Sequence, residues 1–205
     1  SRDEIQALLD DPDRDTWSGH RDAALFAVLY NTGARVSEII RLQTCDVLLD
    51  RAYALHLHGK GRKERVIPLW KSTATQLRSW LQFIDHQPKA PIFPNRAGNA
   101  LSRSGVEHRL RVTIGKASLN CPSLQGRTIS PHTLRHTTAL HLLQSGVDIT
   151  VIAMWLGHED MATTHQYIEA DLEMKEAVLK RMDAPSSKPV RFKAKDRLLD
   201  FLEGL

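Results

Sequence analysis

The segment Arg21–Tyr30 is almost continuously apolar after Asp22 and runs into Asn31-Thr32-Gly33. That pattern reads as a buried helix closed by a glycine. A buried helix has to be surrounded, and 205 residues suffice to bury a real core in one large domain or a domain with an appendage. Around it the sequence supplies more helices than strands. A short helix is expected over Val36–Leu42. Thr73–Ile84 carries Leu77, Trp80, Leu81 and Ile84 at the spacing of a helical stripe. Pro88, Pro91, Pro94 and Gly98 mark a loop before another helix around Ser104–Lys116. Ser130-Pro131 is a capped helix start that Gly146 stops, and Asp148 caps a helix over Ile149–Leu156 that Gly157 ends. A further helix is expected over about Leu172–Met182. Strand signal is confined to Tyr53–His58 and Arg65–Leu69, separated by the glycine-rich, basic Gly59–Glu64, which is a hairpin pattern. The expected fold is therefore mainly α with a small antiparallel β-sheet, an α+β class.

Composition removes several alternatives. No apolar run approaches the roughly 18 residues of a membrane-spanning helix, and the acidic start SRDEIQALLDD has no secretory character, so a cytoplasmic protein with no membrane partner is expected. Cys45 and Cys121 lack C-x-x-C spacing and read as reduced structural cysteines. Net charge is +4, compatible with an anionic partner without establishing one. Its distribution says more: between Arg96 and Arg127, six basic residues including Arg103, Arg109, Arg111 and Lys116 face only Glu107. Such a stretch suits a phosphate backbone, or simply a solvated surface.

Four groups carry chemistry. In Ser130-Pro-His-Thr-Leu-Arg-His136, His132 and Arg135 stand three apart near a helix N-terminus, where amide groups and the macrodipole favour a phosphate. His132 and His136 also have an i, i+4 metal-ligand spacing, but Arg135 between them opposes a cation and the H-E-x-x-H pattern is absent, so no metal is expected there. In Thr32-Gly-Ala-Arg-Val-Ser-Glu38, Arg35 follows a tight glycine turn, and Glu38 is placed either to orient it or to form an ordinary surface pair with it. The hairpin tip presents Lys60, Arg62 and Lys63, a pattern that a solvated turn shares. Trp155-Leu-Gly-His-Glu159 is followed, eight residues beyond His158, by Tyr167.

In this order, Arg-Val-Ser-Glu, Gly-Lys-Gly-x-Lys-Glu-Arg, Pro-His-x-Leu-Arg-His, Leu-Gly-His and the final tyrosine closely resemble the tyrosine recombinase family of phage integrases and bacterial Xer proteins, over roughly Asp10–Asp171. The resemblance implies a catalytic domain whose working set is Arg35, Lys60, His132, Arg135, His158 and Tyr167, with Glu38 in support and Arg62, Lys63, Arg103, Arg109, Arg111 and Lys116 as candidate contacts to the DNA backbone. It implies site-specific strand cleavage and rejoining of double-stranded DNA through a 3′-phosphotyrosine, with no metal or other cofactor. It also implies assembly into a tetramer on DNA, a nucleoid-associated location and a place in mobile-element chemistry. A type IB topoisomerase would share the chemistry, and a non-catalytic DNA-binding module would share the fold.

The catalytic domain is expected to span residues 1–183. The family usually has a helical core-binding domain ahead of this one, and the resemblance implies that this chain lacks it. Pro185-Ser-Ser-Lys-Pro189 reads as a flexible joint within a 184–205 tail, where Leu198, Leu199, Phe201, Leu202 and Leu205 form one apolar helical face. Given the family's cyclic assemblies, that face is expected to dock either on a neighbouring subunit or back on its own domain.

Overall fold

The computed structural model describes residues 1–50, 53–59, 64–85 and 87–157. Helix α2 (Trp17–Thr32) is the axis of the core. Thr16 caps its start, its side chain accepting from the Gly19 amide, and Ala24, Leu25, Phe26, Val28 and Leu29 are all buried. α1 (Arg2–Asp10) lays Ile5 and Leu8 onto that core, and α2 is flanked further by α4 (Lys71–Leu81) and α6 (Pro131–Gln144). Burial on all sides explains why α2 shows no amphipathic pattern: each face meets a different neighbour. α5 (Arg103–Asn120) contributes Val106, Leu110 and Ile114 from the side of α1. α4 closes the core with Trp80, whose indole donates to the Ile92 carbonyl at 2.7 Å.

A buried helix carrying charge needs its charge answered. Asp22 on α2 is 1% exposed and accepts from both Arg21 Nε and Nη2 at 3.0 and 2.8 Å and from Arg109 Nε at 2.6 Å. Arg109 is thus turned inward from α5 instead of standing out with Arg103, Arg111 and Lys116, which are exposed. Arg103 itself pairs along the helix with Glu107.

The sheet has three antiparallel strands in the order β1 (Val47–Leu48), β2 (Ala54–His58) and β3 (Glu64–Pro68). Register pairs Leu55 with Ile67, Leu57 with Arg65 and His58 with Glu64. Alternation therefore places Leu55, Leu57, Arg65 and Ile67 on the inner face and His56, His58, Glu64 and Val66 on the outer one. A 3₁₀ turn (Thr44–Asp46) leads into β1, which two residues of sequence could not announce.

Helices appear where spacing and caps put them, with shifted ends. α3 is only Val36–Ile39, α4 starts two residues earlier and stops at Leu81, and α5 continues to Asn120. α7 (Ile149–Leu156) has the Asp148 cap and the Gly157 end that were expected. Cys45 and Cys121 are free thiols. Among the described residues no helix is long and apolar enough to cross a membrane. The helix expected at Leu172–Met182, the joint and the tail lie outside the described residues.

Gly33 ends α2 in the left-handed region at φ 57°, and a Cβ there would come within 2.5 Å of Leu156 Cδ2 and 3.3 Å of Thr138 Cγ2. Gly33→Ala is expected to cost about 1–3 kcal/mol, from the positive φ together with a forced shift of Leu156. Urea denaturation checks this. A variant as stable as the parent would show that the turn relaxes freely.

Candidate active site

Helix α6 begins with a reciprocal cap: Ser130 Oγ accepts from the Thr133 amide while Thr133 Oγ1 accepts from the Ser130 amide, each at 3.2 Å. Pro131 fills the first helical position, where its missing N–H is no loss. From this fixed start His132 points outward and is exposed, whereas Arg135, one turn on, is 5% exposed. The two side chains expected to meet one anion together thus sit at different depths. His132 Nε2 lies 2.6 Å from His136 Nε2, with the rings nearly perpendicular. Burial lowers the His136 pKa, and the His132 and Arg135 charges lower it further. A neutral His136 can donate to or accept from its partner and so helps fix which ring nitrogen of His132 carries a proton.

Three arginines from distant parts of the sequence converge on the end of α7. Arg135 Nη2 donates to the Leu156 carbonyl at 2.9 Å while its Nη1 donates to the Gly33 carbonyl at 2.6 Å. Arg65 Nε donates to Trp155 O at 2.9 Å, and Arg35 Nη1 to Gly157 O at 3.3 Å. The last carbonyls of a helix have no partners within it and carry the negative end of its dipole, so guanidinium groups are suited to them. Arg35 is the N-cap residue of α3, in extended conformation immediately after the turn that closes α2, and its side chain stays 45% exposed. It is the arginine of the three that is open to an incoming anion, with Arg135 buried behind it and Arg65 mostly covered.

Glu38 is the counter-charge, though its main partner differs from the one expected. Its carboxylate takes a two-pronged contact from Arg65, Nη1 to Oε1 at 2.8 Å and Nη2 to Oε2 at 3.0 Å. It also accepts from the Arg35 amide at 2.7 Å, whereas the Arg35 guanidinium stands 3.8 Å away. Glu38 therefore fixes Arg35 chiefly through its backbone. Arg65 was not singled out by sequence reasoning. The available signal was strand parity: alternation puts position 65 on the face of Leu57 and Ile67, and a charged residue on a core-facing position needs a buried partner. Lys60, Arg62, Lys63, His158 and Tyr167 lie outside the described residues.

The phage integrase family profile matches residues 1–174. Over its full 205 residues the chain is 46% identical to a protein of Sinorhizobium fredii named as an integrase/recombinase, y4rC, and spans 62% of that protein. It is 37% identical over 170 residues to tyrosine recombinase XerD of Staphylococcus epidermidis, a match covering 80% of this chain and 55% of that protein. Among solved structures it resembles XerA recombinase with a TM-score of 0.73 and 27% identity, covering 90% of this chain and 63% of that one. It shares its fold with XerH recombinase, solved with its difH substrate, at a TM-score of 0.72 and 24% identity, covering 87% of this chain and 51% of that one. The chain thus spans between half and two-thirds of the length of these relatives.

Burial raises the Glu38 pKa, but the hydrogen bonds and charge of Arg65, the Arg35 amide and the Arg35 charge outweigh it, so the carboxyl lies below its ordinary value of 4.5. A carboxylate whose pKa is lowered on folding adds stability above its unfolded pKa, and that stability is lost as pH falls through the folded one. Glu38→Gln is expected to destabilise by about 3–5 kcal/mol at neutral pH, because it leaves Arg65 largely unpaired. The gap between the two proteins should shrink as pH drops below about 4.5. Urea titrations at several pH values measure it, and a gap that stays constant would remove Glu38 from this role.

Proposed function

The chain belongs to the phage integrase family, and on that premise we propose that it is the catalytic part of a tyrosine recombinase that cleaves and rejoins double-stranded DNA at specific sites. One observation carries the reading: Arg35 and Arg65 share the carboxylate of Glu38, Arg135 is held beside them by the carbonyls of Gly33 and Leu156, and Arg35 remains exposed. This surplus of fixed positive charge suits a phosphodiester, because guanidinium groups stay ionised and offer planar pairs of donors to its oxygens.

In the proposed reaction the Tyr167 oxygen attacks the scissile phosphorus while His132 accepts the phenolic proton. The new bond joins tyrosine to the DNA 3′-phosphate, the phosphorus–O5′ bond breaks, and Lys60 protonates the departing 5′-oxygen. Arg35 and Arg135 hold the non-bridging oxygens, and His158 donates a further hydrogen bond as charge builds. Rejoining is the same sequence in reverse: the 5′-hydroxyl attacks the phosphotyrosine, the phosphorus–O5′ bond re-forms and the tyrosine oxygen leaves, the energy of the broken ester having been kept in the tyrosine ester. Two arginines, a lysine and two histidines supply the positive charge that other phosphoryl-transfer enzymes take from Mg²⁺, so the chemistry needs neither metal nor ATP. Arg103, Arg111 and Lys116 on α5, with Arg62 and Lys63, contact the DNA backbone. Arg109 serves mainly to neutralise Asp22. The protein works at the nucleoid in the cytoplasm.

Residues 1–183 form the catalytic domain and 184–205 a joint and helix. Four subunits assemble on DNA, and the apolar face of Leu198, Leu199, Phe201, Leu202 and Leu205 docks on a neighbour, which couples Tyr167 to assembly.

DNA carrying a 5′-bridging sulfur at the cleaved bond tests the chemistry. Tyr167→Phe should form no covalent adduct while binding DNA nearly as well as the parent. Lys60→Ala should be slow on ordinary DNA yet recover on the sulfur substrate, whose leaving group departs without a proton. Adduct formed by Tyr167→Phe at the normal rate would overturn the reading, and an equal defect on both substrates would remove Lys60 from its role. Truncation after Asp183 tests the tail: synapsis on full sites should be lost with the melting temperature little changed, whereas a clear drop in that temperature would mean that the tail folds onto its own domain.

A further inference from the structure

The outer face of the sheet carries a second cluster that shares no residue with the site above. His56 and His58 stand two apart on β2 and so project from the same side, with Glu64 opposite His58 on β3. Asp46 reaches the same spot from the 3₁₀ turn ahead of β1. His58 Nε2 lies 2.8 Å from Asp46 Oδ1 and its Nδ1 3.2 Å from Glu64 Oε1, while His56 Nε2 lies 3.0 Å from Glu64 Oε2. Asp46 is buried and held in place by its other oxygen, Oδ2, which accepts from the Gln43 amide at 2.9 Å. The imidazoles are only partly covered, at 34% and 44% side-chain exposure, so the cluster is open to solvent on one side.

We propose that His56, His58 and Asp46, with Glu64 as the adjoining carboxylate, form a binding site for a divalent transition-metal cation of the zinc type. One ligand atom from each of the first three lies within 4.8 Å of the others. Tetrahedral coordination with bonds of about 2.0–2.2 Å sets ligand atoms roughly 3.3–3.6 Å apart. The closing movement required is therefore of the order of an ångström, and rotation of two partly exposed imidazoles supplies it. The fixed member, Asp46, is the one whose position need not change. Imidazole and carboxylate together suit zinc, nickel and copper better than the all-oxygen shells of magnesium or calcium.

Charge points the same way. With both imidazoles deprotonated, as ligation requires, the two carboxylates carry two negative charges, which one divalent cation cancels at a single point. As the residues stand, both ring nitrogens of His58 face carboxylate oxygens, which only accept, so His58 holds a hydrogen on each nitrogen and a bound cation displaces its proton. The cation would tie the 3₁₀ turn, β2 and β3 to one another. This role is structural and separate from the proposed chemistry at Tyr167, so binding and cleavage stand or fall independently.

The test uses the 205-residue chain without a histidine tag, titrated with cobalt(II) chloride and, in parallel, zinc chloride. Cobalt should give visible absorption of tetrahedral intensity that saturates at one equivalent. Zinc should raise the melting temperature progressively with concentration, as any ligand selective for the folded state does. His56→Gln and His58→Gln should each weaken binding about ten-fold or more, whereas His108→Gln on the exposed side of α5 should bind like the parent. His56 has a surface position and a single ion-pair contact, so its variant tests the site even if His58→Gln proves unstable. Absence of saturable binding would overturn the proposal, leaving a hydrogen-bonded ion-pair cluster only. Binding unaffected by either histidine substitution would overturn it equally, by placing the metal elsewhere.

Discussion

Arg135 joins the ends of two helices that the sequence keeps far apart. Its guanidinium donates to Gly33 O, where α2 closes, and to Leu156 O, where α7 closes. Burying a cation at 5% exposure is costly unless strong acceptors replace its water, and the terminal carbonyls of two helices are such acceptors. Both helices end in a left-handed glycine, Gly33 and Gly157, so in each case the chain turns away sharply at the carbonyls that the arginine needs. This contact ties the end of α7 to the turn that precedes Arg35, beside the bonds from Arg65 and Arg35 to the same helix end. Leu156 itself packs against Ala139 and Ile152 in a small satellite of the main core, which secures the same junction by apolar burial.

Around that junction, among the described residues, two arginines share one carboxylate. Asp22 is neutralised by Arg21 and Arg109 far along α2, whereas beside α7 Glu38 answers both Arg65 and Arg35. The carboxylate is oriented by Arg65 on one side and by the Arg35 amide on the other, so its charge is spent inside the protein. Arg35 is left held by its backbone with a side chain half in solvent. Rigid placement of an exposed guanidinium in a locally cationic setting is what an anionic ligand requires, since little reorganisation remains to be done when it arrives.

How far the sequence could be read depended on the range of the interaction involved. The buried helix at Arg21–Tyr30, the Ser130-Pro131 start and the Asp148 and Gly157 bounds of α7 were visible because caps, prolines and closing glycines act within one turn of backbone. The hairpin was visible by alternation over Tyr53–Leu69. β1 was not, being two residues whose strand character exists only through pairing with Ala54 and Leu55. The full length of α5 was missed because only the loop before it marked the helix, and nothing local signalled that it continues from Lys116 to Asn120. At the site, Arg35, His132 and Arg135 were singled out by motif, but that Arg135 would be buried and His132 exposed was not evident from a spacing of three, which fixes angle around the helix and not depth in the core.

Among the described residues, the sequence by itself determined that the segments of α2 to α7 are helical, where each begins and ends to within a turn or so, and which basic and nucleophilic residue types stand in an order shared with the phage integrase family. Those are properties of neighbouring residues and of their order along the chain. Tertiary structure alone decided that Glu38 belongs first to Arg65, that Arg109 turns inward to Asp22, and that Asp46 meets His58 across the sheet. Each of these pairings joins residues 12 to 87 positions apart, and no local rule ranks one distant arginine or histidine over another as a partner. Which charge meets which is settled only when strand register and helix packing bring the groups within hydrogen-bonding distance, because the energy of such a contact depends on separation and burial that exist only in the folded chain.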